Sequence, residues 1–193
     1  MKTLYTLIFT ILISSTIMAQ DSKLPYYEIP EAPKEYTAGT VASRMVDGLG
    51  FRFYWATEGL RPEDLNFKPN DQARTAQETL RHIYDLTTVI LNSAFKKPNT
   101  GQKVPDMTFA EMRKQTLLNL EKASKIFRKA KDMSEFTIVF QRGENKTEFP
   151  FWNQINGPIS DALWHTGQIV SFRRSSGNPF PKGVSVLTGK KRQ

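Results

Sequence analysis

The chain has 193 residues, enough for one domain, with 27 Lys and Arg against 19 Asp and Glu and a formal charge of +8. Hydrophobic residues make up 39% and aromatics 11%, which supports a packed core and excludes wholesale disorder. Cysteine is absent, which removes disulfides, thiolate zinc sites, iron–sulfur clusters, Cys nucleophiles and lipoprotein acylation together.

Residues 1–19 read as a secretory leader. Met1-Lys2 supplies the positive start, Leu4 to Ile13 the apolar run, and Met18-Ala19-Gln20 the cleavage region. An apolar core of about ten residues is too short to span a bilayer. The mature chain is therefore expected to begin at Gln20, to be periplasmic or secreted, and to have no membrane partner once the leader is gone. Residues 20–36, with Pro25, Pro30 and Pro33, form an irregular lead-in. A first helix is predicted from about Thr40 to Leu60, with Val41, Met45, Leu49 and Phe53 as its apolar positions, weakened by Gly48 and Gly50. A connection over 60–73 holds Pro62, Pro69 and Asn70-Asp71, and Pro62-Glu63-Asp64 begins a short helical turn.

Thr75-Ala76-Gln77-Glu78 fits a capping box and opens a second helix to about Phe95, with Leu80, Ile83, Leu86, Val89 and Ile90 at helical spacing. Lys97-Pro98-Asn99-Thr100-Gly101 stops it. A third helix spans about Thr108 to Lys131, its apolar positions Met112, Leu117, Leu120, Ile126 and Phe127. Phe136 to Phe140 is β-prone, and Gly143-Glu144 before Thr147 to Phe151 indicates a short hairpin. The last helix runs from Trp152 or Pro158 to about Arg174 and ends at Gly177. The expected fold is all-α: a four-helix bundle over 37–180 with a hairpin inserted before the last helix. Residues 181–193 form a basic C-terminal tail, with Lys190-Lys191-Arg192 read as mobile. The basic groups at Arg113-Lys114, Lys122 to Lys131 and Lys190-Lys191-Arg192 are scattered and match no nucleic-acid-binding motif, so no nucleic-acid partner is expected.

Only two histidines exist, His82 on the second helix and His165 on the fourth. Asp161 precedes His165 by four residues, so both project from one helix face. Two imidazoles and a carboxylate can bind one divalent ion and leave coordination positions open, which suits activating water or polarising a substrate. The same spacing also fits a surface Asp beside a buried, hydrogen-bonded His. No Ser-centred triad and no Gly-rich phosphate loop is present, and no catalytic residue is assigned.

The run Leu60-Arg61-Pro62-Glu63-Asp64-Leu65-Asn66-Phe67-Lys68-Pro69, leading into Thr75-Ala76-Gln77-Glu78-Thr79-Leu80-Arg81-His82-Ile83, resembles the start of the DinB/YfiT-like superfamily. At the far end, Asp161-Ala162-Leu163-Trp164-His165-Thr166-Gly167-Gln168-Ile169 is similar to that family's H-x-x-x-H-x-G-Q-[IL] signature, with Arg173-Arg174 following. The resemblance covers about residues 37–180. It implies a four-helix bundle, commonly a homodimer, in which three histidines hold a divalent metal, often zinc or nickel. Some members are thiol-dependent transferases or isomerases; many have no established reaction. His82 matches the first ligand and His165 the last. Position 161 departs, because Asp161 stands where the family has its middle His. A carboxylate remains a competent ligand for zinc, manganese or iron, but a harder one. Thr166 stands where an Arg is frequent.

Three further polar residues are candidates for supporting the ligands. Gln168 can orient a ligating His or serve helix packing. Asp85 can accept an imidazole N–H or face solvent. Glu78 is a capping residue before it is a proton acceptor. Trp55, Trp152 and Trp164 read as core or interface anchors. The expectation is a metal-dependent hydrolase or transferase acting on an unidentified small molecule, against a non-catalytic structural or ligand-binding bundle.

Overall fold

The computed structural model describes residues 24–102 and 105–192. The expected leader, residues 1–19, and its cleavage point at Ala19-Gln20 lie outside the described residues. Most of what is described is helical, in the order α1 (Ala38–Thr57), α2 (Pro62–Asn66), α3 (Ala76–Ala94), α4 (Phe109–Phe127), strands β1 (Ile138–Arg142) and β2 (Asn145–Phe149), α5 (Phe151–Gln154) and α6 (Ser160–Ser175). A π-helical turn, Ile155–Ile159, joins α5 to α6. Among the described residues no helix is long and apolar enough to cross a membrane.

Local chemistry starts the three long N-terminal helices. Thr37, Thr75 and Thr108 each accept a hydrogen bond from the backbone N–H three residues on. In return Thr40, Glu78 and Glu111 accept from the capping residue's own N–H at 2.7–2.8 Å. Two free donors are thereby satisfied at each start.

Tertiary packing then joins the helices around one core: α1 lies against α4 and α6, and α3 lies against the same two. Val46, Leu49 and Phe53 of α1, Leu80, Ile83 and Ile90 of α3, Leu117, Leu120 and Phe127 of α4, and Ile169 of α6 are fully enclosed. Val41 and Met45, expected in that core, are instead exposed. Steps of four residues advance about 40° around a helix, so the line Val41-Met45-Leu49-Phe53 spirals through about 120° and cannot share one face. The buried seam runs Ala42, Val46, Leu49, Phe53. Gly50 is explained by the lead-in: the Tyr26 ring lies where a Cβ would stand, 2.5 Å away. The Tyr26 hydroxyl donates to buried Asp47, which also accepts from Ser124 and Arg128.

The hairpin lies where the sequence places it. Ile138 pairs with Phe149 and Arg142 with Asn145 across a two-residue turn, where Gly143 takes φ +59°. Phe136, just before β1, and Phe151, just after β2, each meet the Phe127 ring edge-on, at 5.2 and 5.4 Å, which ties the hairpin to the core. The C-terminal segment carries a second, smaller hairpin. There β3 (Val184–Ser185) pairs with β4 (Lys190–Lys191), and the Ile29 N–H donates to the Gly189 carbonyl at 2.9 Å.

Candidate metal centre

Helices α3 and α6 pack side by side and bring the two histidines to one point of their shared seam. The His82 and His165 rings stand edge to face, with centroids 4.7 Å apart. The Asp161 carboxylate lies between them. Its Oδ2 is 3.2 Å from His82 Nε2 and its Oδ1 is 3.2 Å from His165 Nε2. One donor atom from each residue lies within 4.8 Å of the others, and all three side chains are half-buried. Two elements hold these residues in register. On α3, His82 is flanked by enclosed Leu80 and Ile83, which fix the rotation of that helix. On α6, enclosed Ala162, Thr166 and Ile169 turn the adjoining face, carrying Asp161 and His165, towards α3.

The hydrogen bonding sets the electronic state of the site. His165 Nδ1 is 2.7 Å from Gln168 Oε1. A carbonyl oxygen only accepts, so Nδ1 carries the proton and donates. In the neutral ring the Nε2 lone pair then faces the Asp161 carboxylate. Lone pair against anion at 3.2 Å is repulsive unless a metal ion, or a second ring proton, stands between them. The two 3.2 Å approaches use different carboxylate oxygens, so what the geometry offers an ion is one donor atom from each residue, all within 4.8 Å of one another. The donor set of two borderline nitrogens and one hard oxygen suits zinc, and also manganese or iron.

The other candidates separate clearly. Gln168 is placed to orient His165, the arrangement that fixes tautomer in metal sites. Asp85 pairs instead with Arg81, at 3.3 Å and in solvent. Glu78 is committed to Thr75, and those bonds hold its carboxyl below the usual range. Trp164 is 71% exposed, and its plane lies 12° from that of His165 at a centroid distance of 6.3 Å. Trp152 is likewise exposed. Trp55 is buried and donates to the Tyr27 carbonyl.

What the sequence did not show is the pair of devices bracketing the site on α6. Before Asp161, Pro158 has no N–H and the chain takes the π turn, with the Ser160 N–H reaching the Ile155 carbonyl. Gly157-Pro158 inside a helical pattern is its sequence signal. Beyond His165, buried Arg173 donates to the carbonyls of Trp55, Ala56, Glu58 and Asn178 and to the Asn178 side chain. It closes the end of α1 by satisfying the Trp55 and Ala56 carbonyls, while Arg113 and the Leu60 N–H serve those of Tyr54 and Thr57. Burial lowers its pKa from the usual arginine value. Next to it, enclosed Asp64 accepts from Arg61, Ser176 and Asn178. The Arg61 guanidinium, then Ser176 and Asn178, hold its carboxyl well below the usual range.

No family model matches this chain, and neither a curated protein nor a solved structure matches it, so the candidate centre stands on its own geometry.

Proposed function

We propose that the protein is an exported DinB/YfiT-like four-helix bundle that binds one divalent metal through His82, Asp161 and His165. The reading rests on one observation: donor atoms of two imidazoles and a carboxylate lie within 4.8 Å of one another, with Gln168 hydrogen-bonded to the far nitrogen of the His165 ring. The quartet of α1, α3, α4 and α6, each against two others, supports the bundle.

A divalent ion held there would supply Lewis-acid chemistry at its remaining coordination positions. The chain's own residues do the rest. Asp161 lowers the net charge of the site, Gln168 keeps the His165 nitrogen aimed inward, and the half-exposed seam leaves one side open to a small molecule. This supports a metal-dependent hydrolase or transferase, with zinc or nickel foremost. A second reading is favoured by the same contacts. Protons on both Nε2 atoms would let Asp161 accept from each, closing the group as a non-catalytic structural cluster. Pairing of two copies into a homodimer belongs to the proposal as well.

Elemental analysis of protein purified without added metal, followed by melting with zinc, nickel and manganese, separates the two. A site formed only in the folded state stabilises it by about 2.7 kcal/mol at roughly 100 times the dissociation constant. Wild type is expected to shift, and His82→Ala to lose the shift. Unchanged melting of metal-free wild type with every ion refutes the metal reading.

A further inference from the structure

The turn of the C-terminal hairpin presents an apolar tip that the metal centre does not explain. Leu187 is 94% exposed, beside exposed Val186, between strands of two residues each. Such a side chain at a turn is usually polar. The tip is held firmly. Gly189 takes φ +69° with the Ile29 side chain packed on it, its N–H donates to Ser185, and its carbonyl accepts from Ile29. The hairpin is therefore a rigid mount for Leu187.

Behind the tip runs a groove of about 440 Å³ between α1, α6 and the hairpin, with Leu163, Val170, Phe180 and Val186 as its apolar wall. Arg52 and Arg174 stand at the same groove. Arg52 is bonded to the Gly48 carbonyl, and Arg174 forms no ion pair among the described residues. From Ala162 to the end of the chain there is no Asp or Glu, while Arg174, Lys182, Lys190, Lys191 and Arg192 are all present. The surface combines a projecting aliphatic tip with uncompensated cations.

We propose that this face docks on an anionic lipid surface, with Leu187 and Val186 entering the headgroup boundary and the surrounding Lys and Arg meeting lipid phosphates. Charge complementarity selects this occupant. Neutral lipid, or a second copy presenting this same face with its lack of Asp and Glu after Asp161, would leave the cations unpaired, whereas each Lys or Arg near an anionic surface contributes to binding. The preformed hairpin spares the ordering that a free tail would require. Such a contact is peripheral and reversible, because one aliphatic tip cannot anchor a protein alone. It departs from the expectation of no membrane partner, and it does not depend on the metal reading.

The test is co-sedimentation of the mature chain with vesicles of phosphatidylcholine alone and of phosphatidylcholine mixed with phosphatidylglycerol, at low and high salt. Binding is expected only to the anionic vesicles and is expected to weaken with salt. Leu187→Asp, at a position open to solvent, is expected to weaken partitioning roughly tenfold. Leu187→Trp is expected to strengthen it, since an indole ring sits well at the interface. No binding to anionic vesicles, or binding that Leu187→Asp leaves unchanged, overturns the proposal. So does light scattering in which Leu187→Asp dissociates a dimer while vesicle binding is absent, because the tip's occupant is then a second copy.

Discussion

Replacing Asp64 by Asn tests the joint that fixes the far end of α6. The carboxylate is enclosed and accepts five hydrogen bonds: from the Arg61 backbone at 2.8 Å, its Nε at 3.1 Å and its Nη2 at 2.9 Å, from Ser176 at 2.5 Å and from Asn178 at 2.6 Å. Every neighbour is a donor, so the amide of Asn turns one acceptor into an opposed donor whichever way it is placed. Its least costly placement puts nitrogen towards Ser176, which can turn its hydroxyl to the Arg173 carbonyl at 3.0 Å. Arg61 Nη2 is then displaced, and three bonds survive with a neutral acceptor. Two charged hydrogen bonds are lost at about 1.5 kcal/mol each, the low end of their range because Arg61 is half-exposed, so the loss is roughly 3 kcal/mol. For a chain of this size that corresponds to a fall of about 6–12 °C in Tm.

The pH dependence follows from the depressed carboxyl. The folded state resists protonating Asp64 more than the unfolded state does, so its stabilisation is complete above the unfolded pKa of about 3.9 and drains away as the pH falls below it. Calorimetry at neutral, mildly acid and strongly acid pH should show a constant gap between wild type and Asp64→Asn down to about pH 5. The gap should close below about pH 4. A difference of less than about 2 °C at neutral pH, or a gap that widens with acid, refutes the reasoning.

Gln168→Leu should weaken metal binding by about 10–100-fold while changing the metal-free melting little, measured by titration calorimetry. Equal affinity would show that the Gln168 bond does not set the tautomer. Asp161→His, which restores three imidazoles, should retain the metal-dependent shift and tighten zinc relative to manganese, as competition between the two ions would reveal. Gly50→Ala should cost about 1–3 kcal/mol in denaturant unfolding, because its Cβ meets the Tyr26 ring at 2.5 Å. Gly48→Ala, facing only the end of the Arg52 side chain at 3.3 Å, should be close to neutral or stabilising.

What was legible in the sequence was local. The Thr75–Glu78 capping box, the Gly143 turn and the apolar spacing of α3 each depend on residues within one or two turns of each other. Asp161 and His165 share a face for the same reason, four residues apart on one helix. Their meeting with His82 is a long-range fact that spacing alone leaves open, and only the family resemblance supplied the partner. The remainder was hidden by distance along the chain. Asp64 finds Ser176 and Asn178 more than 110 residues away, and Arg173 closes the end of α1 at a similar separation. An Asp two residues after a proline, or one Arg of a pair, carries no periodic signal of burial. The C-terminal hairpin was equally silent, because strands of two residues cannot establish an alternation.

The placement of these hidden contacts bears on what the centre can do. Asp161 lies in the first turn of α6, directly after the π turn, and His165 one turn further. The π turn sets the rotation with which α6 begins, and Arg173 fixes α6 against α1 two turns beyond His165. Between these two constraints the carboxylate and the imidazole can move little relative to α3. An ion gains most from ligands already in position, since binding then does not have to order them. A carboxylate in place of a third imidazole lowers the net charge of a divalent centre from +2 to about +1. That weakens its pull on an anionic ligand and favours a neutral or weakly charged one. The partly exposed seam and the fixed α6 are what the proposed metal reading requires: three ligand groups already close together and still reached by solvent.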